Sequence, residues 1–332
     1  MLTTSVPLSK VSFLSIAAFS LLASLPASQV AAQDFPSRTL TLVVPYPPGS
    51  ATDMLARLLA PKLSSSMKQN VIVENRGGAS TNIGTEYVSR AAPDGYTILI
   101  QAPNIATNEF AFNNLRWKRS DFAPVSLLVR WSNVLIAGPD AQSRDFGQVV
   151  AASKAADASF NYGTPGVGSL SHLAIETIKA KTGMKMLHVS YTGTAPMITS
   201  LLGGHIQYAA TNPANFMSHV HKGEHQVTPM VVLASERDPT IPDVPSLKDF
   251  GISGIESHGW LGALVPAKTP PAVIARLNTE LVKAMSEPDV QKPLKSVYLE
   301  PKTSTPEEFA RFIASENKKW GDFYRAAGIK PE

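Results

Sequence analysis

The chain has 332 residues, a formal charge of +4 at pH 7 and 44% hydrophobic residues. That apolar share supports packed cores and argues against disorder. The length suggests about two domains, and so small a net charge gives no reason to expect nucleic-acid binding. Cysteine is absent, which excludes disulfides, thiolate-held zinc, iron–sulfur clusters and a thiol nucleophile. A chain this long can still fold in an oxidising compartment without staples.

The first segment reads as an address. Lys10 precedes an apolar run from Val11 to Leu25, closed by Pro26, and the small residues of Val30-Ala31-Ala32 fit cleavage after Ala32. Residues 1–32 are therefore predicted to be a secretory signal peptide. The run is shorter than the ~20 residues that span a bilayer, so an anchor is the weaker reading. No later stretch is apolar enough to span.

Strand-like and helix-like stretches then alternate, which predicts an α/β protein with largely parallel sheets. Thr39–Val44 reads as a buried strand, and Pro45–Ser50 as a loop because Pro and Gly break both periodicities. Leu55, Leu58, Leu59 and Leu63 share one helical face, with Thr52 or Asp53 as the cap and Pro61 expected to kink or end the helix. A strand at 70–73, a helix at 85–92 and a strand at 96–100 follow. The extended apolar stretch Val125–Ala137 is predicted to cross between domains. The second half repeats the scheme: helix 145–154, strand 160–162, helix 171–181, strand 186–190, helix 195–202, and strands 206–210 and 229–234. Gly259–Val265 reads as a return crossing. Val273, Ile274, Leu277, Leu281 and Met285 mark a helix face broken by Pro288. Thr305-Pro-Glu-Glu308 is a capping box that opens a helix closed by Gly328.

Two loops share the layout strand, Pro/Gly-rich turn, helix. They are Pro45-Tyr-Pro-Pro-Gly-Ser-Ala-Thr-Asp53 and Gly163-Thr-Pro-Gly-Val-Gly-Ser-Leu-Ser-His172. Ligands in such folds bind beyond the carboxyl ends of strands. Glycine permits close backbone approach, and each helix start presents free N–H groups and a positive dipole end, which suits an anion. Ser50, Thr52, Thr164, Ser169 and Ser171 add hydroxyls. Ordinary capped turns remain an equal reading of these loops. Tyr191-Thr-Gly-Thr-Ala195, with Thr192, is a third turn of this kind, and Asn212 with Asn215 a fourth; each alone reads more readily as a cap.

Enzyme signatures are missing. There is no Gly-x-Ser-x-Gly elbow, no phosphate loop and no His-Glu-x-x-His. Gly166-Val-Gly168 begins a dinucleotide fingerprint that fails at Ser171. Ser169 and His172 could meet on a helix, but no orienting acid is evident, so capping and cleft lining are favoured over a nucleophile–base pair. His219, His221 and His225, beside Glu224, read as an exposed turn rather than a metal site. His188 reads as a structural strand residue.

The sequence resembles the extracytoplasmic receptors of tripartite tricarboxylate transporters, the Bug receptor family. The segments that carry this run in collinear order: Leu42–Asp53, Val73–Gly78, Asn82–Gly84, Ala91–Tyr96, Asp121–Val125, Asn161–Ser169 with Ser171–Leu173, Tyr191–Pro196, Leu201–Gly204, Pro242–Pro245, Thr305–Phe309 and Ala327-Gly328. The resemblance implies a two-lobed periplasmic binding protein of Venus-flytrap type, each lobe a mostly parallel sheet flanked by helices, joined by two crossing strands. Lobe 1 would be 33–136 and 257–332, and lobe 2 would be 137–256. It implies a monomeric receptor without cofactor or metal that closes on a small carboxylate and delivers it to membrane permease subunits. The embracing loops map onto Pro47, Pro48, Gly49, Ser50 and Thr52, and onto Thr164, Gly166, Gly168, Ser169 and Ser171, with His172, Thr192 and Asn212 beside them. Ser50 stands where the family commonly has Gly, and Gln207 where it has Asp. The stretch 101–120 follows the pattern loosely, so the ligand class stays open between di- or tricarboxylates, aromatic carboxylates and acidic amino acids. Phe110 and Phe112 suit an aromatic acid or pack locally. The rival expectations are a secreted hydrolase using Ser169 and His172, and a sensor feeding a membrane signalling protein.

Overall fold

The computed structural model describes residues 1, 35–155, 159–220, 227–326 and 331. The expected signal peptide, His221, Glu224, His225 and Gly328 lie outside them. The chain divides into Met1–Ser37 and Arg38–Glu332, and the architecture below is that of the second part. Among the described residues no helix is long and apolar enough to cross a membrane.

The first sheet begins with β1 (Leu40–Val44), whose Leu40, Leu42, Val43 and Val44 are buried, as suits a strand covered on both faces. α1 (Ala51–Met67) follows, burying Leu55, Leu59 and Leu63. Two expectations are corrected here. The cap is Ser50, whose Oγ accepts from Asp53 N at 3.2 Å, rather than Thr52 or Asp53. Pro61 neither ends nor interrupts the helix; it sits on the exposed face, where water can satisfy the Arg57 carbonyl that it leaves without a donor.

β2 (Val71–Asn75), α2 (Asn82–Ser89), β3 (Thr97–Gln101) and α3 (Asn104–Ala111) complete the parallel part. α2 starts three residues before its predicted position. The turn ahead of it runs through positive φ at Gly78, Ala79, Ser80 and Thr81, a conformation that apolar periodicity does not report. β4 (Phe122–Ser132) extends the sheet, while β5 (Val134–Ala137) already pairs in the second sheet. The stretch 125–137 thus crosses as predicted, but as two strands parted at Asn133.

The second sheet contains β5, β6 (Asn161–Thr164), β7 (Leu187–Ser190), β8 (Tyr208–Thr211) and β9 (Thr228–Val232), in the order β7-β6-β8-β5-β9. Its helices are α4 (Phe146–Ala152), α5 (Leu170–Thr182) and α6 (Thr194–Leu202). Tyr162, Tyr208, Phe146 and Ile175 are fully enclosed in its core.

The chain returns through β10 (His258–Pro266), then α7 (Pro271–Ser286), α8 (Pro288–Ser296), the short β11 (Glu300–Pro301) and α9 (Pro306–Ala326). Pro288 opens α8 as its first residue, which suits a residue lacking an N–H. The capping box is reciprocal: Glu308 N donates to Thr305 Oγ1 at 3.1 Å, and Thr305 N donates to Glu308 Oε2 at 2.9 Å. The first sheet has the order β11-β4-β10-β3-β1-β2. In each sheet a parallel core (β2-β1-β3, β7-β6-β8) is extended by antiparallel pairs that involve the crossing strands.

The two crossings lie side by side. Asn133 N donates to Ser257 O at 2.9 Å, and Asn133 Nδ2 to Ser257 Oγ at 3.0 Å. Beyond them, Gly262 gives the Phe309 ring room to pack, since a Cβ there would come within 2.1 Å of it. Phe309 meets the buried Trp260 edge-on at 5.4 Å.

Candidate functional site

The loops expected to carry function leave the carboxyl ends of β1, β6, β7 and β8. The β1–α1 loop is braced by Asp53, a residue only 3% exposed. Its carboxylate accepts from Gly49 N, Arg57 Nε and Asn75 Nδ2, each at 2.9 Å. Burial pushes this carboxyl up, but the bonds from Arg57, Gly49 and Asn75 outweigh it and hold the group below its usual range. Asn75 also donates to Tyr46 O at 3.2 Å, and Tyr46 donates to Asn104 Oδ1 at 2.8 Å. The Gly49 amide is therefore engaged inside the loop, at a φ of +82°. Pro47 and Pro48 have no N–H. The Ala51 and Thr52 amides, at the positive end of α1, have no partner among the described residues.

The β6–α5 loop is braced by two histidines. Gly168, at φ +78°, donates to His172 Nδ1 at 3.1 Å. Buried Thr164 places its hydroxyl 3.1 Å from Gly166 O and 2.7 Å from His188 Nε2. The two imidazoles stack with centroids 3.9 Å apart. Burial lowers the pKa of both, and for His188 the stacked His172 adds to the effect, bringing it to about 4. Ser169 caps α5, its Oγ accepting from His172 N at 3.3 Å and lying 3.3 Å from Ser171 Oγ. The third turn is tied to this loop, because Gly193 N donates to Pro165 O at 3.0 Å. Thr192 is exposed beside it.

A cavity of about 310 Å³ brings loops of the two sheets together. Gly49, Ser50, Ala51 and Met54 line it from the first sheet, and Asn212, Ala214 and Asn215 from the second. Trp131, Val297 and Leu299 complete it. Asn215 is held by donating to Thr211 Oγ1 at 2.9 Å, whereas the Asn212 carboxamide has no partner among the described residues. Of the sequence candidates, Gly49, Ser50, Asn212 and Asn215 meet here. Pro47, Pro48, Thr52, Thr164, Gly166, Gly168, Ser169, Ser171, His172 and Thr192 do not line this cavity. Ala51, Met54, Trp131, Ala214, Val297 and Leu299 were missed. Trp131 carried a signal, as a lone aromatic at the end of an extended apolar crossing. Val297 and Leu299 carried none.

The Ser169–His172 pair is not assembled for nucleophilic catalysis. The ring Nδ1 accepts from Gly168 N, and the bond to Ser169 comes from the His172 backbone instead. Phe110 packs on α9, 5.9 Å from Tyr324, which is the local reading of that residue. Among the described residues no group of three or more His, Cys, Asp or Glu could hold a metal ion.

Two α/β sheets, paired crossings and a cavity shared by loops of both sheets define a two-lobed solute-binding protein. Comparison with known proteins names the family. The sequence profile described as "Tripartite tricarboxylate transporter family receptor", TctC, matches residues 55–329. A UPF0065 protein encoded in the tcbD-tcbE intergenic region of Pseudomonas sp. strain P51 is 33% identical over 288 residues, spanning 86% of this chain and 85% of that one. Among solved structures, Rpa4515 of R. palustris with adipate is 30% identical with a TM-score of 0.72, over 90% of this chain and 100% of that one. MatC of Rhodopseudomonas palustris with bound malate is 28% identical with a TM-score of 0.66, over 87% of this chain and 99% of that one. The chain belongs to the TctC family of tripartite tricarboxylate transporter receptors, to which the Bug proteins also belong. It is a solute-binding receptor.

Proposed function

We propose that this receptor works in the periplasm, binds one small carboxylate between two lobes, and passes it to the membrane subunits of a tripartite tricarboxylate-type permease. We draw the lobes as 33–133 with 257–332, and 134–256; the pairing of β5 in the second sheet supports moving the first boundary from 136 to Asn133. Export follows from cleavage after Ala32.

The observation that carries this reading is the cavity shared by the start of α1 and the Asn212 turn. Its rim holds the unpartnered amide of Ala51, the Ser50 hydroxyl and the Asn212 carboxamide, and among the described residues no acidic side chain lines it. Such donors suit an anion without a countercharge. Relatives that hold adipate and malate support the same chemistry. The β6–α5 loop joins the grip on closure, adding its Val167, Leu170 and Ser171 amides, which have no partner among the described residues. A ligand that contacts both lobes only when they meet favours the closed state. Micromolar affinity needs about −8 kcal/mol, and several bonds to an ionised acceptor at roughly 1.5–3 kcal/mol each supply much of it.

The test is a thermal-shift and calorimetric screen of adipate, malate, citrate, glutamate and 3-phenylpropionate. At least one carboxylate is expected to raise the melting temperature by mass action, and Asn212→Ala is expected to weaken its binding. A flat response to the whole panel would overturn the reading. Uptake measured in cells lacking the receptor, separately from transcription, distinguishes transport from sensing.

A further inference from the structure

The wall of this cavity carries information about the body of the ligand. Beside its polar groups the cavity is lined by the apolar side chains of Trp131, Met54, Val297 and Leu299, and among the described residues no lysine, arginine or histidine lines it. A second ionised group lying against that wall would be desolvated without a partner, which is costly.

Trp131 is set apart from the other tryptophans. The chain has four; Trp117, Trp260 and Trp320 are 3%, 0% and 2% exposed and belong to the core. Trp131 is partly open and borders the cavity. Its position is fixed by the strand opposite. Gly259 is its register partner in β10, and a Cβ on Gly259 would fall 2.0 Å from the indole, so the ring occupies the space that a side chain at 259 would need. An aromatic face held in this way is a rigid surface for apolar groups.

Resting on the receptor reading above, we propose that the ligand is a carboxylate whose remaining body is uncharged and apolar, seated on Trp131, and that Trp131 sets this specificity. The carboxylate meets the Ser50–Ala51 and Asn212 rim while the body lies along Trp131, Met54 and Leu299. Compact polyanions are disfavoured, because their second charge would face the apolar wall.

The purified protein is titrated with 3-phenylpropionate, hexanoate, malate and citrate, with calorimetry for affinity and tryptophan emission for location. The two apolar acids are expected to bind at least tenfold more tightly than malate and citrate, and to change an emission component that is absent in Trp131→Phe. Met54→Gln, which keeps the length of the side chain and makes the wall polar, is expected to narrow that preference to under threefold. It covers the case in which a smaller residue at 131 disturbs the crossing. Tighter binding of malate or citrate than of either apolar acid would overturn the inference and leave the carboxylate receptor standing. Apolar acids that bind without any Trp131 emission change, or with the preference intact in Met54→Gln, would overturn it as well. Failure of all four acids to bind would overturn the inference, and the reading beneath it would fall with it only if adipate and glutamate failed as well.

Discussion

Gly168 donates its amide to the Nδ1 atom of His172 at 3.1 Å, so the β6–α5 loop keeps its shape through a neutral imidazole. Protonating that nitrogen removes the acceptor. The groups around the stacked pair are Thr164, Tyr162, Glu176 and Lys179, with the Phe323 ring of α9 edge-on to His172 at 6.3 Å. Glu176 favours the charged imidazoles and Lys179 opposes them, but burial is the largest influence on both and lowers them.

The pH dependence of stability follows from that direction. An unfolded histidine titrates near 6.5, whereas His188 in the fold titrates near 4. Between these values the unfolded chain binds more protons, so stability falls with falling pH. The contribution of His188 is complete above about pH 6.5 and is lost progressively as the pH approaches about 4, and His172, whose pKa burial also lowers, acts in the same direction. The melting temperature is expected to drop across this window, and the slope to flatten in His172→Gln/His188→Gln. An unchanged slope in the double variant would show that the imidazoles are not the cause.

Gly168→Val tests the same loop without changing charge. Gly168 sits at φ +78°, where a β-branched residue costs on the order of 1–3 kcal/mol. The loop would have to rotate, taking the 168 amide away from His172 and the following amides out of register with the cleft. Calorimetry with the best carboxylate of the panel is expected to show at least a tenfold loss of affinity, with the circular dichroism spectrum unchanged. Wild-type affinity would remove this loop from the binding machinery.

Asp53 does for the first loop what His172 does for the second. Its carboxylate accepts from Gly49, Arg57 and Asn75. Asp53→Ala leaves the Gly49 and Asn75 donors without their acceptor, at a cost of about 2 kcal/mol. Chemical denaturation is expected to show that loss, together with weaker carboxylate binding as the loop at the start of α1 loosens. If stability fell while affinity stayed at the wild-type value, the loop would be a structural brace and no more.

Local chemistry made much of this fold legible, and long-range packing hid the rest. Thr305 and Glu308 announce α9 because a capping box is complete within four residues. The Pro/Gly loops announce strand ends for the same reason. The start of α2 was misplaced because Ala79, Ser80 and Thr81 adopt positive φ under tertiary constraint. Asn108 Nδ2 donates to Ser80 O at 2.8 Å, and no periodicity in the sequence records that bond. The cavity wall was hidden in another way. Trp131, Val297 and Leu299 come from distant segments that meet only because β11 pairs with β4.

Ser169 offers the sharpest contrast between a catalytic and a structural serine. Its Oγ accepts from His172 N at 3.3 Å as the cap of α5 and lies 3.3 Å from Ser171 Oγ, and among the described residues neither ring nitrogen of His172 is hydrogen-bonded to it. Ser169→Ala is therefore expected to lower stability by about 1 kcal/mol, the usual cost of a lost N-cap. Hydrolysis of p-nitrophenyl esters is expected to stay at the buffer rate in both proteins. Ser169→Asp, which restores a capping oxygen and places a negative charge at the positive end of the helix, should recover most of the lost stability. A wild-type esterase rate that disappears in Ser169→Ala would instead make Ser169 a nucleophile and refute its assignment as a cap.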